Sequence, residues 1–156
     1  MVLSQSAAIA WVGERRARGE RIVFTNGVFD LLHPGHVRYL RDARQLGDAL
    51  IVAVNSDAST RALEKGTDRP INRDVDRAEV LAALAVVDVV VIFDEPTPHD
   101  IIGALQPDVL VKGADWPDGA IVGADIVEAR GGKVVRIPLA EGFSTTTLLR
   151  KIRTVE

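Results

Sequence analysis

The sequence predicts one doubly wound α/β domain with a five-stranded parallel sheet at its centre. Short apolar runs rich in β-branched residues recur along the 156 residues, and helical patterns lie between them. The runs at 50–54 and 89–92 are apolar at every position, which is typical of strands buried on both faces of a parallel sheet. Regular alternation of strand and helix favours right-handed crossovers and a Rossmann-like topology.

The elements follow one another without a repeat, a low-complexity tract or a long linker, so we predict a single domain over residues 1–156. The apolar residues 7–12 predict a first helix that is capped near Ser4 or Ser6. The five predicted strands cover residues 21–25, 49–55, 87–93, 108–112 and 133–138. Helical spacing is found at Val37, Leu40, Ala43 and Leu46, at Val80, Leu81 and Leu84, and across 98–105, 122–129 and 144–153.

Composition narrows the class of protein. The chain has no cysteine, which excludes a disulfide framework, a thiolate nucleophile and Cys-ligated zinc. A formal net charge of -3 gives no basic field, so we expect no nucleic-acid partner. The apolar runs fall well short of the ~20 residues that cross a bilayer, and residues 7–12 are too short for a secretory signal. We therefore expect no membrane partner and a cytoplasmic location.

The one long polar stretch, residues 65–74, follows the second predicted strand and precedes a helix. This order puts it at the carboxyl edge of the sheet, where open α/β sheets bind ligands at the topological switch point. Two interpretations stay open for this stretch: a lid over a ligand, or a plain surface connection.

The turn after the first predicted strand carries the strongest chemical signal. It runs Thr25-Asn26-Gly27-Val28-Phe29-Asp30-Leu31-Leu32-His33-Pro34-Gly35-His36 and leads into a helix. It contains neither the Gly-x-Gly-x-x-Gly dinucleotide fingerprint nor a P-loop. Instead, two imidazoles stand at a helix amino terminus, where unpaired N–H groups and the helix dipole favour an anion, and Gly35 allows close approach. His33 and His36 can donate hydrogen bonds to phosphate oxygens.

Two other interpretations compete with phosphate binding by this pair. A histidine at a helix start is commonly a cap or a packed side chain. A zinc site is disfavoured, because no further His or Cys lies nearby to complete a tetrahedral set of ligands.

The pattern Gly27-x-Phe29-Asp30-x-x-His33-x-Gly35-His36 resembles the signature of the cytidylyltransferase-like nucleotidyltransferases, whose hallmark is His-x-Gly-His. The resemblance covers nearly the whole chain and implies the HUP-like form of the fold. Further stretches are similar to one branch, the D-glycero-β-D-manno-heptose 1-phosphate adenylyltransferases: Phe24-Thr25-Asn26-Gly27, Gly47-Asp48, Val52-Ala53-Val54-Asn55-Ser56-Asp57, Val111-Lys112-Gly113-x-Asp115 and Gly142-x-Ser144-Thr145-Thr146. This resemblance implies transfer of AMP from ATP to a heptose 1-phosphate, which gives ADP-heptose and pyrophosphate for lipopolysaccharide core assembly.

The resemblance also implies a role for each matching position. His33 and His36 would bind the triphosphate and stabilise developing charge, and Lys65 would close over the phosphates. The implied nucleotide-binding residues are Thr25, Asn26, Gly27, Phe29, Gly35, Lys112, Asp115, Ser144, Thr145 and Thr146. The implied substrate-binding residues are Asp30, Asn55 and Arg77. Mg²⁺ would enter with ATP, held by the triphosphate and not by protein ligands.

Several of these residues also have a structural interpretation. The run Ser144-Thr145-Thr146 suits a plain helix N-cap. Arg77 precedes Leu81 by one helical turn on a buried stripe, so its guanidinium should meet either a buried carboxylate or a phosphate. The remaining alternatives are a solvated loop for Lys65, a turn-stabilising carboxylate for Asp30, a helix cap for Asp57, a solvated strand end for Lys112 and a turn for Asp115.

The final motif departs from that of relatives that act on glycerol phosphate. Those relatives often have Arg-Thr before Glu-Gly, whereas this chain has Leu139-Ala140-Glu141-Gly142. We expect the missing cation to come from elsewhere, from Arg136 or Arg69. No function is attached to Phe143.

Other functions stay open at this point. A cytidylyltransferase for glycerol 3-phosphate or a similar alditol phosphate is the alternative of the same class, because no single residue reports the base. A non-catalytic nucleotide sensor would bind nucleotide without releasing pyrophosphate. A fragment of a class I aminoacyl-tRNA synthetase is disfavoured by the acidic chain and by the lack of a Lys-Met-Ser-Lys-Ser loop. An apolar stripe on the first helix would suit a homodimer, and a separate heptose kinase and phosphatase are expected to supply the acceptor.

Overall fold

Strands and helices alternate along residues 1–63, 69–114, 121–138, 140 and 142–154, which are the residues that the computed structural model describes. The strands are β1 (Val2–Leu3), β2 (Ile22–Gly27), β3 (Ala49–Asn55), β4 (Val89–Phe93), β5 (Val109–Gly113) and β6 (Lys133–Ile137). The helices are α1 (Gln5–Ala17), α2 (Pro34–Arg44), α3 (Asp57–Ala62), α4 (Asp74–Ala82), α5 (His99–Leu105), α6 (Ala124–Ala129) and α7 (Thr145–Arg153). All the predicted strands are present, and their ends lie close to the predicted ones.

The strands form one parallel sheet in the order β1-β4-β3-β2-β5-β6. β2 stays paired with β3 from Ile22 to Gly27, but its pairing with β5 stops where Phe24 lies opposite Leu110. The two central strands therefore separate at their carboxyl ends. This opening is the topological switch point of a doubly wound sheet, and the predicted Rossmann-like α/β fold is confirmed.

The strand count is corrected from the predicted five to six, because β1 adds an edge strand. Val2 pairs with Val90 and Leu3 with Val91. The amino group of Met1 donates to the carbonyl oxygen of Asp88 at 2.9 Å. A strand of 2 residues is too short to show any alternation of apolar and polar positions, so no sequence pattern predicts it.

Helices cover both faces of the sheet. One apolar cluster combines side chains of α1, α5 and α6 with alternate strand positions, such as Phe24 and Ile51. The other cluster combines α2 and α4 with the intervening positions, such as Val23 and Val52. Because successive strand residues point to opposite faces, a central strand of such a sheet is buried on both sides. This explains why residues 49–54 are completely buried.

Serine side chains cap the amino ends of α1 and α3. Ser4 caps α1 by accepting a hydrogen bond from the backbone N–H of Ala7 at 3.2 Å, as predicted. Ser56 caps α3, since its hydroxyl accepts from the N–H of Ser59 at 3.1 Å. Asp57 therefore does not cap α3, and its carboxylate serves the first N–H of α4 instead. Asp57 is the first residue of α3, and its carboxylate has other partners, described below.

The predicted stripe on α4 holds only in part. Leu81 is buried, but Val80 is 53% exposed, and Leu84 lies beyond the end of the helix at Ala82. Neighbouring residues of a helix point about 100° apart, so Val80 turns away from the sheet when Leu81 faces it. The apolar character of Val80 is therefore no guide to its burial.

Gly47, between α2 and β3, is closely packed against the chain that leads into β2. A Cβ atom there would lie 2.7 Å from the carbonyl oxygen of Arg21 and 2.7 Å from Cγ2 of Val23. Because backbone cannot move aside cheaply, Gly47→Ala is expected to lower the free energy of unfolding by about 1–3 kcal/mol. Gly13, inside α1, has no atom within 4 Å of such a Cβ, and Gly13→Ala should raise that free energy by about 0.5–1 kcal/mol. Urea unfolding measures both changes, and equal changes would contradict the packing argument.

Candidate active site

A pocket of about 300 Å³ opens where β2 and β5 separate. Most residues singled out in the sequence line it: Asn26, Gly27, Phe29, Asp30, His33, Gly35, His36, Lys112, Ser144 and Thr145. They come from the turn after β2, the end of β5 and the start of α7. The parallel sheet brings these distant segments together, because the carboxyl ends of its strands share one edge.

His33 is the N-cap residue of α2. Its Nδ1 atom accepts a hydrogen bond from the backbone N–H of His36 at 3.3 Å. Since Nδ1 is an acceptor, the proton of the neutral ring lies on Nε2, which is then a donor for a ligand. The cap and phosphate interpretations of His33 are therefore compatible, because they use different nitrogen atoms.

The two imidazoles stack on each other. The ring centroids of His33 and His36 are 3.8 Å apart and their planes are inclined by 16°, while Phe29 meets His36 edge to face at 5.2 Å. A Cβ atom on Gly35 would lie 2.9 Å from Nδ1 of His33, so the stack requires glycine there. Phe29 has a φ of 50°, in the left-handed region that side chains disfavour, so packing determines this turn.

Burial keeps both imidazoles uncharged at neutral pH. Desolvation lowers the pKa of His33 below its usual value. Desolvation, and then the neighbouring His33, lower the pKa of His36 to about 4. The resting pair therefore consists of neutral donors, not of the protonated rings that would bind phosphate more strongly. An anion at hydrogen-bonding distance would favour the charged form and raise these pKa values.

The amino end of α7 forms a second wall of the pocket. Ser144 caps this helix, since its Oγ accepts from the N–H of Thr147 at 3.0 Å. Phe143, directly before the cap, has its ring centroid 6.2 Å from that of His33. This contact joins the amino ends of α2 and α7, where N–H groups and the helix dipoles favour an anion. Thr145 lines the pocket, whereas Thr146 is exposed outside it.

Lys112 and Asn26 bridge the opening between β5 and β2. Each lies two residues beyond the last paired positions of the two strands, Leu110 and Phe24. Nζ of Lys112 donates to Oδ1 of Asn26, so side chains connect the strands where the backbone ladder has stopped. Lys112 is 6% exposed, and burial lowers the pKa of its ammonium to about 8. Lys112 is thus not a solvated strand end.

Asp30 anchors the segment before α4. Its carboxylate accepts from the backbone N–H groups of Ile71 and Asn72, both at 2.9 Å. Nη1 of Arg69 lies 3.4 Å from the same carboxylate. Asp30 therefore stabilises a turn, one of its two sequence interpretations, while still lining the pocket. Arg69 also lines the pocket, whereas Arg136 lies exposed on β6 and does not.

Arg77 is held by the protein instead of being presented to the pocket. Its side chain is buried, and Nη1 donates to the carbonyl oxygen of Val28 at 2.6 Å. Nη2 donates to Oδ1 of Asp57 at 2.9 Å, and Nε donates to the carbonyl oxygen of Asn72 at 3.0 Å. Of the two sequence alternatives, the carboxylate is the observed partner, and the predicted substrate-binding role of Arg77 gains no support. The guanidinium ties α3 and α4 to the turn that precedes His33.

Asp57 and Asp74 cap each other's helix. The N–H of Asp57 donates to the carboxylate of Asp74 at 3.0 Å, and the N–H of Asp74 donates to that of Asp57 at 2.8 Å. Each residue begins a helix, α3 or α4, so each carboxylate lies at the positive end of the other helix. The partial positive charge at the amino end of each helix is therefore offset by a carboxylate of this chain.

Thr25 and Asn55 do not reach the pocket, so their predicted binding roles gain no support. Oγ1 of Thr25 is completely buried and lies 2.8 Å from Oη of Tyr39. The amide of Asn55 donates to Oγ of Ser59 at 2.9 Å. In both cases the side chain forms a hydrogen bond with a polar partner inside the core.

Lys65 and Asp115 lie outside the described residues, as do positions 139 and 141, so the lid interpretation stays a prediction.

Sequence reasoning missed several residues that line the pocket, among them Phe143, Thr60 and Tyr39. Tyr39 and Thr60 reach it through the packing of α2 and α3, which no local pattern reports. Phe143 had a usable signal. It is the aromatic residue directly before a predicted helix cap, a position whose side chain often packs over the helix end.

No group of three or more His, Cys, Asp or Glu side chains among the described residues lies close enough together to hold a metal ion. In the same part of the chain, no helix has the length and apolar character that crossing a bilayer requires.

Known proteins resemble this chain along most of its length. The model of the cytidylyltransferase-like family matches residues 24–150. The bifunctional protein HldE of Geotalea uraniireducens is 53% identical over 148 residues, 95% of this chain and 30% of that protein. HldE of Hyphomonas neptunium is 54% identical over 98% of this chain and 31% of that protein, so this chain spans about three tenths of the length of these relatives. The crystal structure of a lipopolysaccharide core biosynthesis protein from Thermoplasma volcanium has a TM-score of 0.69 and 30% identity, and the match covers 79% of this chain and 100% of that one.

Proposed function

This chain belongs to the cytidylyltransferase-like family and is a nucleotidyltransferase, and we propose that it transfers AMP from ATP to D-glycero-β-D-manno-heptose 1-phosphate. The products are ADP-heptose and pyrophosphate, and the pathway served is lipopolysaccharide core assembly. One observation carries the proposal. His33 and His36 lie at the amino end of α2, and their stacked rings face the amino end of α7 at the opening between β2 and β5.

In the proposed reaction, an oxygen of the acceptor's phosphate attacks the α-phosphorus of ATP in line. A P–O bond forms between the two phosphates, and the bond from the α-phosphorus to the α,β-bridging oxygen breaks. That oxygen keeps the electron pair and leaves as part of pyrophosphate. The attacking phosphate is already an anion at neutral pH, so no general base is required. Acceleration then comes from positioning and electrostatic stabilisation.

The wall formed by α2 and α7 is assigned to the triphosphate. Nε2 of His33 carries the proton because Nδ1 caps the helix, and it donates to a phosphate oxygen. His36 supplies a second imidazole, while Ser144 and Thr145 add hydroxyl and N–H groups. As charge builds up on pyrophosphate, these preorganised donors stabilise it without rearranging. Mg²⁺, held by the phosphate oxygens of the nucleotide, supplies further charge neutralisation when bound.

Two observations support a heptose acceptor. The stretches that resemble the heptose branch contain Asn26 and Lys112, and these two side chains meet at the pocket. The relative from Thermoplasma volcanium is a lipopolysaccharide core biosynthesis protein, and the match covers 100% of that protein's chain and 79% of this one.

Pyrophosphate release tests the proposed function. The protein is incubated with Mg²⁺, with ATP or CTP, and with the β or α anomer of heptose 1-phosphate or with glycerol 3-phosphate. We expect release with ATP and the β anomer to be faster than with any other pair by about tenfold or more, with ADP-heptose detected by mass spectrometry. Release only with CTP and glycerol 3-phosphate would replace the proposal by a cytidylyltransferase. Nucleotide binding without release in every mixture would replace it by a nucleotide sensor.

A further inference from the structure

Planar side chains form a series of contacts between the amino ends of α2 and α7. His36 stacks on His33, and the ring of Phe143 follows, with its centroid 6.2 Å from that of His33 and its plane inclined by 23°. The guanidinium of Arg38 ends the series, since its Cζ atom lies over the Phe143 ring, 5.2 Å from the centroid. The series therefore leads from the proposed triphosphate site to a full positive charge.

Arg38 has no carboxylate partner in the part of the chain that the structure describes. Asp42, one helical turn further along α2, forms no ion pair with it. The side chain turns instead toward the start of the helix, as long helical side chains do, and meets Phe143 there. A cation–π contact uses the face of the guanidinium, so the N–H groups at its edge stay available to acceptor oxygens. Arg69, which lines the pocket, is by contrast paired with Asp30.

A second cavity meets the first one at His33. This groove of about 500 Å³ runs along α2, and Arg38 and Arg41 line it together with apolar side chains. His33 lines both cavities, so a ligand bound to its ring can extend from the pocket into the groove. Arg38 and Arg41 are exposed and lie three residues apart, on one side of the helix. The groove thus adds two cations to a pocket whose paired imidazoles are neutral.

The reaction proposed above requires positive charge beside the leaving group. When the bond from the α-phosphorus to the bridging oxygen breaks, the electron pair stays with pyrophosphate, which gains negative charge. The imidazoles of His33 and His36 and the hydroxyls at the start of α7 carry no net charge. A charged donor forms a stronger hydrogen bond with a phosphate oxygen than a neutral one does, so a guanidinium here favours the departure of pyrophosphate.

We propose that Arg38 binds the β- and γ-phosphates of the nucleotide and stabilises the departing pyrophosphate, and that Phe143 positions its guanidinium. The α-phosphate stays with the paired imidazoles, and the two distal phosphates pass along His33 into the groove. The inference rests on the proposed function, and it gives Phe143, to which the sequence attaches no function, a positioning role. Such a site distinguishes a nucleoside triphosphate from a monophosphate, because only the triphosphate reaches the guanidinium.

Equilibrium binding tests the site without an acceptor. The ligands, each with Mg²⁺, are α,β-methylene ATP, which cannot release pyrophosphate, and AMP, which lacks the two distal phosphates. Arg38→Met is expected to weaken binding of the triphosphate by about tenfold, the loss of one charge-assisted hydrogen bond, and to leave binding of AMP within about twofold. Arg38→Lys keeps the charge but loses the planar fork of donors, so it should recover part of the loss.

Arg130→Met is the matched control, since it removes an exposed arginine at the end of α6, on the other face of the sheet. It should bind both ligands like the unmodified protein. Thermal unfolding verifies that each variant is folded. Unchanged binding of the triphosphate by folded Arg38→Met overturns the proposal, and so does an equal loss of affinity for AMP.

Salt separates the charge of Arg38 from its packing. Because the guanidinium is exposed, the difference in triphosphate affinity between the unmodified protein and Arg38→Met should decrease between about 0.1 M and about 1 M salt. Over this range the screening length falls from about 10 Å to about 3 Å. A difference that stays constant would mean that the replacement acts through packing, which contradicts the proposal.

A double-mutant cycle tests the positioning role of Phe143. Phe143→Leu keeps an apolar side chain but removes the ring, and it should weaken triphosphate binding by about two- to fivefold. The same replacement should have a smaller effect in Arg38→Met, because the cation that the ring positions is then absent. Phe143→Tyr keeps the ring and should bind like the unmodified protein. Equal effects of Phe143→Leu in both backgrounds overturn the positioning role.

Pyrophosphate release connects the site with the reaction and keeps the two proposals distinct. Arg38→Met is expected to lower kcat by about tenfold and to leave KM for heptose 1-phosphate within about twofold, because the leaving group carries more charge in the transition state. If the triphosphate binds as expected but no acceptor supports release, the proposed reaction fails and the site stands. A change confined to KM for heptose 1-phosphate overturns the assignment of Arg38 to the nucleotide.

Discussion

Replacing His33 or His36 by alanine is expected to lower kcat by about two to three orders of magnitude, the scale of losing one preorganised donor. His36→Ala removes the ring that stacks on His33 at 3.8 Å. His33→Ala also removes the cap of α2, which costs about 1 kcal/mol of stability. His33→Asn separates the two effects, because asparagine is a good cap but lacks the imidazole. Pyrophosphate release at saturating substrates measures kcat, and thermal unfolding measures the cap.

The third histidine provides the control. His99 begins α5, and its side chain is 53% exposed. His99→Ala should therefore leave kcat unchanged. If His33→Asn is fully stable yet turns over like the unmodified protein, and folded His36→Ala does too, the paired imidazoles do not hold the triphosphate.

Arg77→Met is expected to lower the free energy of unfolding by about 3 kcal/mol or more. The change removes a buried guanidinium, takes from Asp57 its charged partner and leaves two backbone carbonyls without this donor. Arg77→Lys keeps the charge but cannot reach three acceptors with one ammonium, so it should recover only part of the loss. Urea unfolding followed by circular dichroism measures these changes. Because Arg77 holds the carbonyl of Val28, next to Phe29, kcat of the folded variant should fall as well.

Arg61→Met is the matched control for this position. Arg61 lies exposed near the end of α3, and its replacement should change the free energy of unfolding by no more than about 0.5 kcal/mol. A loss below about 1 kcal/mol for Arg77→Met would mean that the guanidinium network is not what joins α3 and α4 to the turn.

The fold is predictable from sequence where the physics is local. The first six residues of β3, 49–54, are all apolar, which no amphipathic helix shows, so their buried place in a parallel sheet follows directly. β1 escapes prediction because 2 residues hold no period. The exposure of Val80 is not predictable in this way, because hydropathy describes the side chain alone. Its burial depends on which face of α4 packs against the sheet.

The site is predictable where one turn supplies the chemistry. His33, Gly35 and His36 need only the helix that follows them, and their spacing contains that information. Arg77 shows the limit. The helical spacing of apolar residues around Arg77 predicts that its side chain is buried. Whether the guanidinium binds a phosphate or Asp57 depends on the position of α3, in which Asp57 lies 20 residues away in sequence. Phe143 shows the same limit, since its contact with His33 joins residues far apart in sequence.

The reciprocal carboxylates of Asp57 and Asp74 also shape the field that an arriving substrate meets. α3 and α4 begin under negative charge, whereas α2 and α7 begin under the neutral groups of His33 and Ser144. We therefore expect the electrostatic potential to be less positive at the start of the first pair of helices than at the start of the second. A polyanion should then be attracted to the side of α2 and α7, and its association rate should decrease as salt is added.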